Sequence, residues 1–360
     1  MQLWRTLMDK NNHYLVTGAG GFIGGWVAET IFLQNQHNVR AGLHRWAGAA
    51  RLSRFQMDLS ICDIMNPDQL DQVMDGITHV IHCAKGPSPE SMINGTRNVI
   101  EAAARRGVKH MVHLSTAEVY GNPTGIVDET HALVKTGNPY ADAKLEAEQV
   151  CAEYIQKGFP LSIVRPSIVY GPFSKTWSVS IGEKLKSGNW GIFKGNGDGI
   201  CNLIYVSDLV KEVLSISQNE QAIGQSYNLN GPDSLTWNEY FARFNNALGL
   251  PELKVIEPES AKMKASIIDP MRTAAKYARD HFEKQIKSLA ASFGPAKSAM
   301  KYLEGIIKSA PRMVDFDLFN RNAVYPDDKV RNLLGYLPEV NLDTGLSLTV
   351  AWMKQVGLIK

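Results

Sequence analysis

The sequence has little of several features that would assign it to other protein classes. Its four cysteines include no C-x-x-C pair, which argues against a disulfide framework or a zinc site and predicts reduced thiols. No apolar run approaches the roughly 18 residues of a membrane span, and residues 1–12 lack the apolar stretch of a signal peptide. A net charge of +2 gives no overall attraction to nucleic acid. These absences predict a cytoplasmic protein without a metal site.

What the sequence does contain is length and a regular alternation of elements. A chain of 360 residues can bury a large core. Short β-rich runs alternate with helical stretches over the first half, which predicts an α/β fold with a doubly wound, parallel Rossmann sheet. The predicted strands are 13–17, 38–43, 57–64, 78–83, 109–114, 161–165 and 225–230, and the predicted helices include 22–33, 92–106, 139–157 and 200–216.

Two lobes are expected. We predict a dinucleotide-binding domain over 11–171, completed by about 200–231, and a smaller, mostly helical C-terminal substrate-binding lobe over 172–199 and 232–360. Within the second lobe, residues 261–310 contain ten Lys/Arg against four Asp/Glu and are helix-forming, with predicted interruptions at Pro270 and Gly294-Pro295. This basic segment is interpreted either as a solvated cap over the substrate crevice or as an amphipathic surface that weakly contacts anionic lipid or a phosphate-bearing substrate.

A glycine-rich turn follows the first strand. Gly18, Gly21 and Gly24 have the spacing G-x-x-G-x-x-G, and the turn opens a helix that begins near Phe22 and Ile23. Glycines bring backbone N–H groups close to a pyrophosphate, and the positive end of the helix favours the phosphate charge. The pattern predicts a dinucleotide site, while a plain glycine turn of any α/β protein is the alternative.

The end of the second strand indicates which dinucleotide binds. An NAD enzyme usually places a carboxylate there for the ribose 2′-hydroxyl, and an NADP enzyme places a cation. The sequence has no acid within reach, but His44 and Arg45 follow the strand and are predicted to contact a 2′-phosphate. Arg40, inside the strand, is interpreted as a solvated edge residue. NADP is therefore the favoured cofactor, and NAD is the alternative.

Two further strand ends are predicted to contact the cofactor. Asp63 and Ile64 end the third strand, where the carboxylate would accept from the adenine amino group and the isoleucine would pack on its ring. Alternatively, Asp63 is a helix N-cap. Ala84 and Lys85 follow the fourth strand, where a small residue lets the backbone approach the ribose and phosphates; Lys85 is also a candidate substrate contact.

A second motif supplies proton-transfer chemistry. Tyr140 and Lys144 lie four residues apart on a predicted helix and hence on one face. An adjacent ammonium favours the phenolate, so Lys144 is expected to lower the pKa of Tyr140 and to hydrogen-bond the nicotinamide ribose. The run Leu114-Ser115-Thr116-Ala117-Glu118 follows the fifth strand, where a hydroxyl would hold the same substrate oxygen as Tyr140.

These motifs together resemble the extended short-chain dehydrogenases/reductases of the NAD-dependent epimerase/dehydratase family, over essentially the whole chain. The matching pieces occur in the family's order: T-G-A-G-G-F-I-G at 17–24, H-C-A-K at 82–85, N-G-T at 94–96, L-S-T-A-E-V-Y-G at 114–121, Y-A-D-A-K at 140–144, R-P-S-I-V-Y-G-P at 165–172, N-L-I-Y-V-S-D-L at 202–209, L-G-Y-L-P at 334–338 and T-V-A-W at 349–352.

The resemblance implies roles for particular residues. Tyr140 would be the acid/base, Lys144 its activator, and Thr116, rather than Ser115, the hydroxyl that positions the substrate oxygen. Glu118 is a candidate substrate contact, with a solvated loop residue as the alternative. The resemblance also implies a homodimer formed through the helices at 92–106 and 139–157, and a nicotinamide amide bound by the backbone of Pro166, Ile168 and Val169.

Two departures from the family pattern narrow the chemistry. Members that dehydrate hexose nucleotides carry an Asp-Glu pair after the threonine, whereas this chain has Ala117-Glu118, which disfavours dehydration. Nucleotide-sugar enzymes also commonly carry an arginine on the strand before Tyr205-Val206 for the substrate diphosphate, and this chain has none there. The candidate substitutes are Lys194, Arg272 and Arg312.

The sequence therefore predicts an NAD(P)-dependent oxidoreductase that interconverts a secondary alcohol and a ketone. The substrate is expected to be a nucleotide-linked sugar, and the enzyme an epimerase or a reductase. The missing arginine and the basic segment suggest one alternative, a hydroxysteroid- or lipid-type dehydrogenase. Because a fold does not fix function, a non-catalytic dinucleotide-binding sensor or scaffold is the other alternative.

Overall fold

The computed structural model describes residues 11–35, 38–292, 305, 307, 309–335 and 338–359. Its contacts divide the chain into two compact units. The first runs to Tyr170 and adds Asn202–Pro232 and Val324–Asn341, and the second comprises Gly171–Cys201, Asp233–Ala323 and Leu342–Lys360.

The described strands are short, as expected for a doubly wound fold. They are β1 (Tyr14–Thr17), β2 (Val39–Leu43), β3 (Asp58–Ile61), β4 (His79–His82), β5 (His110–Leu114), β6 (Gly125–Ile126), β7 (Leu161–Pro166), β8 (Ile168–Tyr170), β9 (Ile192–Phe193), β10 (Leu203–Tyr205), β11 (Ser226–Leu229), β12 (Val255–Ile256) and β13 (Ala323–Val324).

The described α-helices are numbered in the same way. They are α1 (Phe22–Asn35), α2 (Pro67–Val73), α3 (Pro89–Arg105), α4 (Pro139–Gln156), α5 (Ser180–Lys186), α6 (Val206–Ser217), α7 (Trp237–Ala247), α8 (Pro258–Ser292), α9 (Met313–Phe319), α10 (Asp328–Leu334) and α11 (Leu342–Gln355). Single turns of other helix types span Trp46–Arg51, Ala117–Tyr120, Lys175–Val179 and Glu220–Ala222.

Seven of the described strands form one sheet in the order β11-β7-β5-β4-β1-β2-β3. Every pair in it is parallel. This arrangement confirms the predicted Rossmann sheet. The chain moves outward from β1 in both directions, so the carboxyl ends of β1 and β4 flank the point at which such folds bind ligands.

Helices cover both faces of the sheet. Successive residues of a strand point to opposite faces, so each strand contributes to two buried clusters. Leu15 and Val16 are adjacent in β1 and point to opposite faces. Val16 joins a buried cluster with residues of α1 and α6, such as Val27 and Leu209. Leu15 joins a second cluster with residues of α3 and α4, such as Val99. The helices α3 and α4 pack against each other within the chain, and the homodimer implied for them stays a prediction.

Two expectations about the first unit are wrong. The predicted helix at 200–216 begins only at Val206, because the apolar run of β10 pairs with β8 instead. Arg40 does not lie on an edge strand, because β2 lies between β1 and β3. Its Nε donates to Asp58 at 2.7 Å, and its guanidinium also donates to the carbonyls of Val73 and Asp75. Arg40 therefore links β2 to the neighbouring strand β3 and to the end of α2.

The predicted boundary of the second lobe also differs from the structure. The sequence assigned 232–360 to that lobe, whereas 324–341 pack in the first unit. The reason is visible at Tyr325, whose carbonyl accepts from Asn230 at 3.1 Å and whose N–H donates to Asn202 at 3.3 Å. These buried backbone contacts bring the segment that carries α10 back to β11.

The second unit has an aromatic core and a long helix. Trp190, Phe193 and Phe241 pack edge to face. Helix α8 runs through Pro270 without the predicted interruption; Gly294-Pro295 lies outside the described residues. None of the described helices is both long and apolar enough to cross a membrane.

Candidate active site

The glycine turn between β1 and α1 leaves no room for side chains. Gly18 has a φ of +70°, which favours glycine, and a Cβ on it would lie 2.7 Å from the Cα of Ala84. A Cβ on Gly24 would collide with the Gly18 carbonyl oxygen. The Gly21 N–H donates to that same carbonyl at 2.9 Å and closes the turn. The turn therefore packs directly against the end of β4.

This turn fits a pyrophosphate. Helix α1 begins at Phe22, and the first N–H groups of a helix, those of Phe22 and Ile23 among them, have no partner within the helix. The positive end of the helix dipole lies at the same place. Backbone donors, a local positive potential and glycines that carry no side chain together suit the phosphates of a dinucleotide.

A buried polar network holds the turn to the sheet, and sequence reasoning missed it. The Thr17 hydroxyl accepts from the Ala84 N–H at 3.3 Å and bonds His82 Nδ1 at 2.7 Å. His82 Nε2 reaches the Thr96 hydroxyl on α3 at 3.2 Å. Burial lowers the pKa of His82 to about 3, so the ring is neutral. The sequence does contain a signal for this network, because a threonine and a histidine end two strands that are otherwise predicted to be buried.

The residues predicted for the 2′-phosphate lie where β2 ends. His44 and Arg45 are exposed there, and Arg45 precedes the single helical turn Trp46–Arg51. His44 Nδ1 lies 3.9 Å from a carboxylate oxygen of Asp63, at the end of the neighbouring strand β3. The structure thus brings two of the predicted cofactor residues together.

Asp63 and Ile64 differ from each other in what they can offer an adenine. Asp63 is not the N-cap of α2, because Asn66 fills that position. Its Oδ1 accepts from the Met65 N–H at 3.0 Å, and the side chain is half-buried. Ile64 is buried against Gly95 of α3 and keeps little surface for a ring, which goes against its predicted packing role.

The backbone predicted to hold the nicotinamide amide belongs to β7 and β8. Pro166 pairs with Leu229 in the sheet, and the Ile168 N–H donates to the Asn202 carbonyl at 3.1 Å. Ile168 and Val169 pair with β10. The N–H of Ile168 is therefore already hydrogen-bonded within the protein and is not available to the nicotinamide amide.

Thr116 lies immediately beyond the carboxyl end of β5. It is the N-cap of the turn Ala117–Tyr120, and its hydroxyl accepts from the Glu118 N–H at 3.3 Å. Ser115 is buried beside it, and its hydroxyl has no partner among the described residues. Of the two hydroxyls, that of Thr116 is the one that influences Tyr140, because it lowers the pKa of the phenol.

Tyr140 and Lys144 occupy the first turns of α4. The helix begins here because Asn138 caps it, accepting from the Tyr140 N–H at 3.0 Å, and because Pro139 fits the first helical position. Further along the helix, Glu148 forms a buried ion pair with Arg165 of β7 at 2.7 Å. That pair fixes α4, and with it Tyr140, relative to the sheet.

The electrostatics of Tyr140 differ from the sequence-based expectation. Partial burial raises the pKa of Tyr140, the Glu118 carboxylate raises it further, and the hydrogen bond with Thr116 lowers it. The Lys144 ammonium donates to the Leu114 carbonyl at 2.6 Å, and burial lowers the pKa of Lys144 to about 8. In this structure Lys144 therefore does not by itself make the phenol acidic.

Lys85 lies close to the Tyr140 ring. Its Nζ is 5.2 Å from the centroid of the Tyr140 ring, and the side chain is exposed. The structure thus assembles Thr116, Glu118, Tyr140, Lys144 and Lys85 at the carboxyl edge of β4 and β5.

The cations predicted to replace the missing arginine are already paired within the second unit. Lys194 donates to Glu257 at 3.1 Å, and Arg312 pairs with Asp315 at 2.6 Å. Arg272 pairs with Asp269 and donates to backbone carbonyls, including that of Ile307. None of the three therefore offers an unpaired charge to a diphosphate.

Comparison with known proteins places this geometry in a family. The model of the NAD dependent epimerase/dehydratase family matches residues 14–230, which span β1 to the end of β11. The chain belongs to this family. It is therefore an enzyme of the extended short-chain dehydrogenase/reductase class, and the resemblance read from the motifs is confirmed.

Individual proteins resemble the chain at moderate identity. The uncharacterized UDP-glucose epimerase YtcB of Bacillus subtilis is 28% identical over 245 residues, which are 61% of this chain and 77% of the relative. The 3beta-hydroxysteroid-dehydrogenase/decarboxylase isoform 1 of Arabidopsis thaliana is 25% identical over 373 aligned positions, 93% of this chain and 78% of the relative.

Among solved structures, the UDP-glucuronic acid 4-epimerase from Bacillus cereus, in complex with UDP-glucuronic acid and NAD, has the same fold. The TM-score is 0.69 at 21% identity, and the match covers 96% of this chain and 99% of the epimerase.

Proposed function

We propose that this family member transfers a hydride between a nicotinamide dinucleotide and the carbon of a secondary alcohol or ketone. The favoured substrate is a nucleotide-linked sugar, and the enzyme is an epimerase or a reductase. The observation that carries the proposal is the placement of Thr116 and the Tyr140 phenol together at the carboxyl edge of the sheet, where the Thr116 hydroxyl lowers the pKa of that phenol. Two hydroxyls that meet there can both contact one substrate oxygen.

Each residue of this cluster has a defined task in the proposal. The dinucleotide, when bound, accepts or returns the hydride. Tyr140 moves the proton on the substrate oxygen, and Thr116 holds that oxygen in place. Lys144 has two N–H groups besides the one that Leu114 accepts, and it is assigned to the nicotinamide ribose. The glycine turn from Gly18 to Gly24 holds the pyrophosphate.

We further propose that NADP is preferred over NAD. His44 and Arg45 present exposed polar side chains at the end of β2, and the sequence places no carboxylate on that strand. Asp63, which lies near His44, is the group that would favour the unphosphorylated ribose instead.

A hydroxysteroid- or lipid-type dehydrogenase is the second candidate function. The pairing of Lys194, Arg272 and Arg312 within the second unit supports a substrate without a diphosphate. The relative from Arabidopsis named as a hydroxysteroid dehydrogenase, which matches 93% of this chain, supports the same class. Both candidates use the same Thr116, Tyr140 and Lys144.

The decisive experiment follows the absorbance of the reduced nicotinamide while purified protein is offered either nucleotide sugars or hydroxysteroids. Net consumption of cofactor by a sugar supports a reductase, and product of inverted configuration without net consumption supports an epimerase. Turnover of the steroids alone would replace the favoured substrate class by the second.

Tyr140→Phe tests the chemistry directly. Removal of the proton path should lower the rate by roughly 10²- to 10⁴-fold while cofactor binding is retained. Tyr154→Phe is the matched control, because Tyr154 lies on the same helix and its hydroxyl donates to Glu101 at 2.7 Å. A Tyr140→Phe variant as fast as the wild type would contradict the assignment.

A further inference from the structure

A second ammonium group faces the phenol from outside α4. Lys85 follows β4, and its Nζ lies 5.2 Å from the centroid of the Tyr140 ring. A cation at this distance is attracted by the face of an aromatic ring, and the attraction grows when the ring carries negative charge. Lys85 forms no ion pair with any residue that the structure describes. Its charge is therefore available to Tyr140.

Lys144 is less suited to this task than its position in the motif indicates. The side chain is 5% exposed, and its ammonium already donates to the Leu114 carbonyl at 2.6 Å. Burial, with a smaller contribution from the Lys85 charge, lowers the pKa of Lys144 to about 8. A lysine with such a pKa begins to lose its charge just above neutral pH. Lys85, in contrast, keeps its ammonium in solvent.

The charges of the other titratable groups around Tyr140 determine what disfavours the phenolate and must be opposed by Lys85. Glu118, on the turn after Thr116, brings a carboxylate that disfavours the phenolate. Asp142, on α4, is bound by the N–H groups of Thr136 and Gly137 at 2.8 and 2.9 Å. Cys83, at the end of β4, has a pKa raised to about 12 by burial and stays neutral. Glu118 is therefore the main unfavourable charge.

We propose that Lys85 acts together with Lys144 to stabilise the ionised phenol of Tyr140. When the phenol O–H gives its proton to the substrate oxygen, the charge left on the ring is opposed by the Lys85 ammonium. When the reaction runs as an oxidation, the same cation favours the phenolate that takes the proton from the alcohol. Lys85 is a positioning residue in this scheme, because it acts through Tyr140.

The ionisation of Tyr140 can be measured without a substrate, although its use in catalysis rests on the proposed function. The protein has twelve tyrosines, so the phenolate absorbance of Tyr140 is obtained as the difference between wild type and Tyr140→Phe during an alkaline titration. Lys85→Met should raise the pKa of Tyr140 by roughly half a unit, the shift that an exposed cation–π contact supports. Lys85→Arg should restore it.

Lys157→Met is the matched control. Lys157 Nζ lies 4.7 Å from the ring centroid of Tyr154 on the same helix, so its removal deletes an equivalent contact away from Tyr140. It should leave the Tyr140 titration unchanged. In turnover assays, Lys85→Met should move the pH profile upward by the same half unit, and Lys85→Arg should return it to the wild-type position.

Two outcomes would overturn the inference. One is an unchanged Tyr140 titration in Lys85→Met, and the other is an equal shift in Lys157→Met. Failure of the proposed function is recognised separately, because a shifted titration in a protein that turns over no alcohol or ketone leaves the electrostatic role of Lys85 intact.

Discussion

At the scale of single residues, the cofactor preference depends on Arg45. If its guanidinium binds the 2′-phosphate, Arg45→Ala should weaken NADPH binding by roughly 10- to 100-fold, the usual effect of losing a charged hydrogen bond, and should spare NADH. Calorimetric titration with both dinucleotides measures the difference. Arg106→Ala is the control, since Arg106 forms a surface ion pair with Asp75 at 3.0 Å. Equal weakening of the two dinucleotides would show that Arg45 does not contact that phosphate.

The same scale shows what residue spacing can and cannot predict. Helical spacing placed Tyr140 and Lys144 on one face, and the order of strands placed Thr116 at the same edge. The spacing carries no information on which group the Lys144 ammonium meets. That partner is the Leu114 carbonyl at the end of β5, which accepts from the ammonium at 2.6 Å. The cation near the Tyr140 ring comes from the segment that follows β4, far away in the chain.

At the scale of elements, the glycine turn can be tested against another glycine of the same backbone conformation. Gly18 and Gly76 have φ values of +70° and +72°, but only Gly18 faces another backbone where a Cβ would be placed. Gly76→Ala should cost about 1–2 kcal/mol for the left-handed conformation alone. Gly18→Ala should cost more, because the new methyl would meet Ala84, and it should also weaken dinucleotide binding.

Urea unfolding of both variants with dinucleotide titrations makes this comparison. Equal losses of stability, with cofactor affinity unchanged in both, would mean that the close approach of Gly18 to Ala84 has no part in binding.

The strands β4 and β5 carry buried histidines that make stability depend on pH. His113 is fully buried, both of its ring nitrogens lack a hydrogen-bond partner among the described residues, and burial lowers its pKa well below the ordinary value. Below pH 6.5 the unfolded chain binds a proton at His113 that the folded chain does not, so stability is lost as the pH falls. The loss is about 1.4 kcal/mol per pH unit for this group.

His113→Phe should remove that contribution. The free energy of unfolding is measured in urea at pH 7.5 and at pH 5.5. Its decrease between these two pH values should be about 1.4 kcal/mol smaller in the variant than in the wild type. His13→Gln is the control, because His13 is exposed. An unchanged difference between the two pH values would show that His113 is protonated in the folded protein.

At the scale of the whole molecule, local alternation predicted the sheet because each strand and its following helix are neighbours in sequence. It did not predict the return of 324–341 to the first unit. That return depends on contacts such as Asn230 with Tyr325, which are 95 residues apart, and no local pattern encodes such a pairing. The missed strand β10 has the same origin, since its partner β8 lies far back in the chain.

The hypothesis that the basic segment contacts anionic lipid can be stated for particular residues on the exposed face of α8. Met263, Ile267 and Met271 are 60%, 59% and 43% exposed, and their spacing places them on one face of the helix. Lys262 and Lys264 are exposed beside them. An apolar stripe that points outward between cations has the pattern of a helix lying on an anionic membrane surface.

We therefore expect the purified protein to float with vesicles that contain phosphatidylglycerol, to bind neutral phosphatidylcholine vesicles poorly, and to be released by salt. Replacing Met263, Ile267 and Met271 by serine should abolish flotation. The control replaces Ile126, Val134 and Leu348, which are also exposed, by serine and should float as the wild type does. If the wild type does not bind anionic vesicles, the basic segment is a solvated face, and the lipid-type dehydrogenase loses that part of its support.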